Sequence, residues 1–241
     1  MPPETLTPDI DAPGFLLRPD GTHLPYDRFH PAQPAKAGPA VVFLHGLRSD
    51  RNATKALFLD ATCRRHAIPF IRYDAYGHGA GPDNGPYTDF TLSRAVHDVL
   101  LVIDQLTEGP VVLMGSSMGG WTALRAMEER PDRVAALVGI ATAPDFTAHV
   151  APGPDYPPGL IADGPANFVM DEPWYFDGPV HLVQGQRDES VPWQTAESVA
   201  ARFADPARVR VTLIPDGDHR LNRPEDLAIQ ESALLDVISR I

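Results

Sequence analysis

The segment GSSMGG, residues 115–120, decides the fold of this chain. It follows a short apolar run, VVLM at 111–114, and precedes a stretch with helical character. A serine between glycines at such a junction predicts a sharp strand-to-helix turn that leaves the Ser117 hydroxyl in the open. The glycines suit this turn because a Cβ at either position would clash with the neighbouring strand or helix. The alternative interpretation is a glycine-rich strand-to-helix turn that has no catalytic role.

Short apolar runs alternate with helical patterns along the rest of the chain. The further runs lie at 41–44, 70–73, 134–140, 180–183 and 209–214, and most lack clean polar alternation. An apolar stripe with helical spacing covers 92–106, and further helices are expected after Pro192 and from Pro224. This alternation predicts an α/β fold, with a mostly parallel sheet that is covered by helices on both faces.

A hairpin is expected near the amino end. Phe15–Arg18 and Thr22–Phe29 flank a Pro-Asp-Gly sequence, which favours a tight turn. The hairpin would add antiparallel strands to the N-terminal edge of the sheet. Because 241 residues suit one domain of this kind, residues 1–241 are expected to form a single domain.

Composition and charge limit the partners of this chain. Its net charge is −12, so nucleic acid and membrane surfaces are not expected to bind it. The single cysteine, Cys63, excludes an internal disulfide and a multi-thiolate metal site, and no metal is expected. Residues 1–14 show neither a basic segment nor an apolar one, so a soluble cytoplasmic protein is expected. No oligomeric state is predicted.

Two polar residues at strand ends suit Ser117 as partners. Asp188 follows the run at 180–183, and His219 follows the run at 209–214. Ligands bind outside the carboxyl ends of strands in such sheets, where these side chains can meet. A serine needs a base and a group that orients the base, which predicts Ser117 as nucleophile, His219 as base and Asp188 as the acid. Asp145 is the alternative acid, whereas Asp216 and Asp218 are expected to be turn residues.

Two backbone amides are expected to bind the negative charge that develops on a substrate carbonyl oxygen. The Met118 amide follows the nucleophile at the start of a helix, and the Leu47 amide follows the His45-Gly46 pair after the strand at 41–44. Acyl transfer requires two such donors aimed at the oxyanion. We expect His45 to be structural, packing this loop rather than acting as a base.

The motifs HGL (45–47), DAYGHGAG (74–81), GSSMGG, GQRDESVP (185–192) and DGDHRL (216–221) resemble those of the serine α/β-hydrolases. A narrower similarity lies in NATKAL (52–57), GSSMGGW (115–121), VGIAT (138–142) and VPW (191–193). These resemble the palmitoyl-protein thioesterase / mycophenolic acid acyl-glucuronide esterase group and its bacterial relatives. The resemblance implies the α/β-hydrolase fold, hydrolysis of acyl thioesters and acyl glucuronide esters, a Ser-Asp-His triad and no cofactor.

The chain departs from this group at residues 143–178, where the family carries a helical cap. Here the insertion is short and rich in proline, which allows only brief helical turns, near Leu160–Ala162 and Ala166–Met170. Its apolar residues either line an acyl site or fill a satellite core at the top of the sheet. The candidates for the substrate pocket are Trp121, Phe168, Met170, Trp174 and Tyr175. A shortened cap favours an open, shallow cleft.

The sequence therefore predicts a hydrolase of small-molecule carboxylic esters or thioesters that works through an acyl-serine. Its activity is expected to fall as the pH drops through about 6–7, because a protonated imidazole cannot act as a base. A ligand-binding protein on a hydrolase scaffold is an alternative from another class. A C–C bond hydrolase and a cofactor-free haloperoxidase-like enzyme would use the same three residues.

Overall fold

The computed structural model describes residues 10–32 and 38–241, and in this part of the chain eight strands form one sheet. The strands are β1 Ile10–Leu17, β2 His23–His30, β3 Ala40–Leu44, β4 Phe70–Tyr73, β5 Val111–Ser116, β6 Val134–Ile140, β7 Val180–Gly185 and β8 Val209–Ile214. Their order is β1-β2-β4-β3-β5-β6-β7-β8. Strands β1 and β2 pair in antiparallel fashion, β2 pairs antiparallel with β4, and all other neighbours are parallel. The predicted fold class and the antiparallel N-terminal edge are confirmed.

Helices cover both faces of the sheet. They are α1 Thr54–Arg65, α2 Leu92–Leu106, α3 Met118–Glu129, α4 Pro158–Asp163, α5 Gln194–Ala200 and α6 Pro224–Ser239. Buried residues of α2, α3 and α5 belong to the core on one face, and those of α1 and α6 belong to the core on the other. No helix in the described ranges is both long and apolar enough to cross a membrane. Most of residues 1–14, from which no targeting segment is expected, lie outside these ranges.

The helix predicted at 92–106 has those bounds and the last helix begins at Pro224 as predicted, whereas α1 was not predicted. The buried stripe of α1 is narrow, with Ala56, Leu59 and Cys63 as its apolar members. Because two of these side chains are small, the apolar period of α1 is weak beside the broad stripe of α2. The sequence therefore shows α1 less clearly than the structure does.

The proline-rich insertion between β6 and β7 forms only short helical pieces. Helix α4 covers the turn expected at Leu160–Ala162, and 3₁₀ turns lie at Phe146–Ala148 and Gly164–Asn167. The second expected turn therefore ends before Phe168. Proline removes backbone donors, which explains why no longer helix forms in this insertion.

Two glycines allow α3 to begin close to the sheet. A Cβ on Gly119 would stand 2.2 Å from the carbonyl oxygen of Leu44, and a Cβ on Gly115 would stand 2.3 Å from the carbonyl oxygen of Gly119. Both distances are far below any normal contact, and both obstacles are backbone atoms. The sequence-based reason for these glycines therefore holds, and the start of α3 packs directly on the end of β3.

Gly119→Ala should lower the free energy of unfolding by about 1–3 kcal/mol or more, because the added methyl group forces the backbone of α3 away from β3. Gly81→Ala is the matched control, since a Cβ at Gly81 meets no atom within 4 Å. Urea denaturation of both variants measures the difference. Equal stability of Gly119→Ala and wild type would contradict the close packing.

Candidate functional site

Ser117 lies at the turn between β5 and α3 in a backbone conformation that non-glycine residues rarely adopt. Its φ is 55° and its ψ is −118°. Such a residue persists only where the surrounding structure holds it in place, and the contacts of Gly115 and Gly119 do so here. The turn projects the Ser117 side chain toward two adjoining surface cavities.

Ser117, His219 and Asp188 form one chain of hydrogen bonds. The Ser117 hydroxyl lies 3.1 Å from His219 Nε2, and His219 Nδ1 lies 2.7 Å from Asp188 Oδ2. An ionised carboxylate only accepts hydrogen bonds, so Nδ1–H donates to Asp188 and leaves the Nε2 lone pair facing the hydroxyl. Three residues that are far apart in the sequence thus meet at the carboxyl ends of β5, β7 and β8.

The carboxylate of Asp188 is held on both oxygens. Oδ1 accepts the backbone N–H groups of Ser190 and Val191, each at 2.8 Å, and Oδ2 accepts His219 and the Gln184 amide, the latter at 2.8 Å. Burial alone would raise the pKa of Asp188. The hydrogen bonds from His219, Val191 and Ser190 outweigh it, so the pKa lies below the ordinary value. Asp188 is therefore ionised at neutral pH.

The other carboxylates near the site have structural partners. Asp145 accepts the backbone N–H groups of Val169 and Met170, both at 3.0 Å, and thereby ties the insertion to the end of β6. Asp216 forms an ion pair with Arg223, and Asp218 accepts the backbone N–H of Leu221. Asp188, rather than the alternative Asp145, is the carboxylate hydrogen-bonded to His219. Asp216 and Asp218 lie in the predicted turn.

Leu47 and Met118, the two residues expected to donate to an oxyanion, both border the cavities at Ser117. Leu47 lines both cavities that contain Ser117, and Met118 lines one of them. Because Met118 is the first residue of α3, its N–H has no carbonyl acceptor within the helix. Gly46 packs closely on the serine, since a Cβ there would stand 3.4 Å from the Ser117 Cβ. The loop after β3 and the first turn of α3 thus both border the nucleophile.

His45 is a buried, neutral residue under this loop. Its Nε2 accepts the backbone N–H of Ala75 at 3.1 Å, which leaves Nδ1–H to donate to the Gly46 carbonyl at 2.8 Å. Burial lowers the pKa of His45 below the ordinary value. Both ring nitrogens are used in structural hydrogen bonds, so the geometry matches the structural role expected for His45.

Two cavities meet at Ser117, and both have mixed polar and apolar lining, although different residues contribute it. One has a volume of about 390 Å³, and its apolar lining comes from Phe146, Val150, Tyr156 and Val191. The other has a volume of about 420 Å³ and is lined by several polar groups, among them Lys55 and Arg220. Burial lowers the pKa of Lys55 to about 8. We call these the apolar cavity and the cationic cavity; Arg48 lines both and forms an ion pair with Asp155 of the insertion.

The prediction of which residues line the substrate pocket is wrong. None of Trp121, Phe168, Met170, Trp174 and Tyr175 lines either cavity. Trp121 is fully buried and donates its ring N–H to the Asn167 carbonyl at 2.9 Å, and Trp174 donates to Glu128 at 3.0 Å. Phe168 and Met170 pack against the core, whereas Tyr175 is 86% exposed. These residues thus fill a satellite core or face solvent.

The residues that line the apolar cavity were missed because they precede or follow the aromatic stretch of the insertion. Phe146 and Val150 come soon after the end of β6, and Val191 comes from the loop that carries Asp188. Position directly after a strand end is the signal that could have found them, as it found Asp188 and His219. Tyr156 is one of the apolar residues of the insertion, which the sequence assigned either to an acyl site or to a satellite core. Within the described residues, no group of three or more His, Cys, Asp or Glu could hold a metal ion.

Comparison with known proteins places this chain in a family. The model of the alpha/beta hydrolase family matches residues 41–222. The chain is 31% identical over 253 residues to the bovine (Bos taurus) mitochondrial palmitoyl-protein thioesterase ABHD10, covering 94% of this chain and 80% of the bovine protein. The human protein of the same name is 30% identical over 255 residues, covering 94% of this chain and 80% of the human protein.

Solved structures agree with this placement. Mouse alpha/beta hydrolase domain-containing protein 10 superposes with a TM-score of 0.85 and 31% identity, covering 95% of this chain and 99% of the mouse chain. A putative hydrolase from Agrobacterium vitis S4 gives a TM-score of 0.85 and 32% identity, covering 96% of this chain and 100% of that one. This chain therefore belongs to the alpha/beta hydrolase family, as an enzyme that hydrolyses esters or thioesters.

Proposed function

We propose that the chain is a serine hydrolase that cleaves carboxylic esters or thioesters through an acyl-serine intermediate. The observation that carries the proposal is the position of His219, which lies within hydrogen-bond distance of both Ser117 Oγ and Asp188 Oδ2. In this mechanism His219 takes the proton of Ser117 as the hydroxyl attacks the acyl carbon. Asp188 orients the imidazole and stabilises the imidazolium that forms.

The second half of the reaction uses the same groups. His219 gives its proton to the leaving alcohol or thiol, and the acyl group remains on Ser117. Water then loses a proton to His219, attacks the acyl carbon and releases the carboxylic acid. The hydroxyl of Ser117 regains the proton, so the enzyme returns to its starting state without a cofactor.

The negative charge on the carbonyl oxygen is proposed to be bound by the amides of Leu47 and Met118. The Gly46 carbonyl and the Leu47 N–H belong to one planar peptide group and point in opposite directions. Gly46 O accepts hydrogen bonds from His45 Nδ1 at 2.8 Å and from the Ser49 N–H at 3.1 Å. These two bonds fix the peptide plane, and the Leu47 N–H consequently points away from the His45 ring.

The two cavities suggest where the two parts of a substrate bind. The apolar cavity suits an acyl chain, because Phe146, Val150, Tyr156 and Val191 offer it carbon surface. The cationic cavity then receives the alcohol or thiol. The relatives are named palmitoyl-protein thioesterases. The Arg48–Asp155 ion pair at the apolar cavity favours chains shorter than palmitoyl for this enzyme.

Ser117→Ala should reduce kcat for p-nitrophenyl acetate on the order of 10⁶-fold, because no other group forms the acyl-enzyme. A fluorophosphonate probe should label wild type and leave Ser117→Ala unlabelled. Ser232→Ala, at an exposed serine of α6, is the control and should retain both properties. Full turnover by purified Ser117→Ala would overturn the proposed function, and an unlabelled wild-type serine would favour a ligand-binding protein.

A series of p-nitrophenyl esters should show kcat/KM rising with acyl length up to about eight carbons and falling steeply beyond, as further methylene groups find no apolar surface. Tyr156→Ala enlarges the apolar cavity and should move the optimum to longer chains. Tyr175→Ala is the matched control, since this tyrosine is 86% exposed. An optimum at sixteen carbons in wild type would contradict the assignment of the cavity.

His45→Phe should lower kcat about 10- to 100-fold with little change in KM, because the Leu47 amide is no longer held toward the oxyanion. The kcat of His45→Asn should fall less, since the asparagine amide can donate to the Gly46 carbonyl in place of Nδ1–H. Steady-state kinetics with p-nitrophenyl acetate measure both variants. Unchanged kcat in His45→Phe would show that the ring does not position this loop.

A further inference from the structure

Gln184 is a fully buried polar residue near the carboxyl end of strand β7. It is 1% exposed, and its Nε2 donates to Asp188 Oδ2 at 2.8 Å. This is the same carboxylate oxygen that accepts His219 Nδ1 at 2.7 Å. One oxygen thus receives one hydrogen bond from the base and one from the strand that leads to the Asp188 loop.

The orientation of the Gln184 amide is dictated by this contact. If the amide were turned over, its oxygen would face a carboxylate oxygen, and both are acceptors. In the orientation present, Oε1 is buried and has no hydrogen-bond partner among the residues that the structure describes. A buried acceptor without a partner destabilises the fold, so the strand keeps Gln184 at a cost in stability.

The other hydrogen bonds of the Gln184 amide are longer than its bond to Asp188. Its Nε2 approaches the carbonyl oxygens of Gly185 and Val191 only at 3.4 Å each. The bond to Asp188 is shorter and goes to an ionised acceptor, which makes it the strong one. The polar part of Gln184 therefore serves the carboxylate.

We propose that Gln184 is a positioning residue for the hydrolytic reaction, acting through Asp188. The proposal rests on the function proposed above. The backbone N–H groups of Ser190 and Val191 hold Oδ1. Gln184 holds Oδ2, so that the carboxylate cannot rotate away from the imidazole, and its N–H shares the negative charge with His219.

Two measurable consequences follow from removing this donor. The carboxylate gains freedom to rotate, which misplaces the imidazole and lowers kcat. Its second oxygen also loses a donor, so more of its charge acts on the protonated imidazole and stabilises it. The acid limb of the kcat profile should therefore move to higher pH, because more imidazole is protonated at a given pH.

The charged groups around this pair remain the same in the variants compared. Asp218 and Arg220 flank His219, and Arg187 and Glu189 flank Asp188 in the sequence. The groups contributed by other elements are Arg48, Lys55 and Asp155. A difference in the pH profile between wild type and a Gln184 variant therefore reports the lost donor rather than a new charge.

The test compares Gln184→Met with wild type over pH 5–9, using p-nitrophenyl acetate. We expect kcat to fall roughly 10- to 100-fold, KM to change less than about twofold, and the acid limb to move up by about half a pH unit or more. Tm should stay within about 2–4 °C of wild type, since the unpartnered oxygen is removed together with the donor. Gln186→Met, at an exposed glutamine two residues later, is the matched control and should behave as wild type.

Two further comparisons keep the proposal falsifiable. Gln184→Leu likewise removes the donor without adding a charge, so it should lose activity and move the acid limb to the same extent as Gln184→Met. In an Asp188→Ala background, Gln184→Met should lower kcat little further, because the carboxylate through which Gln184 acts is absent.

Wild-type kcat and an unmoved acid limb in either Gln184 variant would overturn the proposal. An equal loss with and without Asp188 would also overturn it. These failures leave the proposed function intact as long as Ser117→Ala is inactive. A fully active Ser117→Ala would remove both.

Discussion

Only a glycine at position 119 allows the start of α3 to lie against the last carbonyl groups of β3, because a Cβ there would stand 2.2 Å from the Leu44 oxygen. This contact brings the loop after β3 and the first turn of α3 to the same side of Ser117. Leu47 and Met118 consequently line one cavity together with Ser117. The unusual backbone of Ser117, with φ at 55°, is the local consequence of the same approach.

Side chains of the same chemical type have different roles in this site because their surroundings differ. His45 and His219 follow β3 and β8, yet His45 is buried with both ring nitrogens bound to the backbone, whereas the side chain of His219 is 29% exposed and lines both cavities. Asp145 binds backbone amides of the insertion, and Asp188 binds the imidazole. The neighbours of each side chain, and not its type, separate structural groups from reactive ones.

The sequence predicted that Ser117, Asp188 and His219 are neighbours. Parallel strands end at one edge of the sheet, so residues that directly follow different strands lie close together in space. The sequence did not predict the cavity lining, because the direction of a side chain in a proline-rich insertion follows no period. Trp174 of the insertion was therefore assigned to the pocket, and so was Trp121 of α3, although both lie in the core. Helix α1 was missed because Ala56 and Cys63 add little apolar surface to its stripe. In the sequence, Gln184 is only one of two polar residues, with His181, in a mainly apolar strand.

The measurement that tests the account most directly is mass spectrometry of the enzyme during turnover of a slowly hydrolysed p-nitrophenyl ester. An acyl-serine mechanism predicts a mass increase equal to one acyl group, located on the peptide that contains Ser117 and lost again after the substrate is removed. An acyl group on another residue, or sustained turnover in which the chain never carries one, would contradict it.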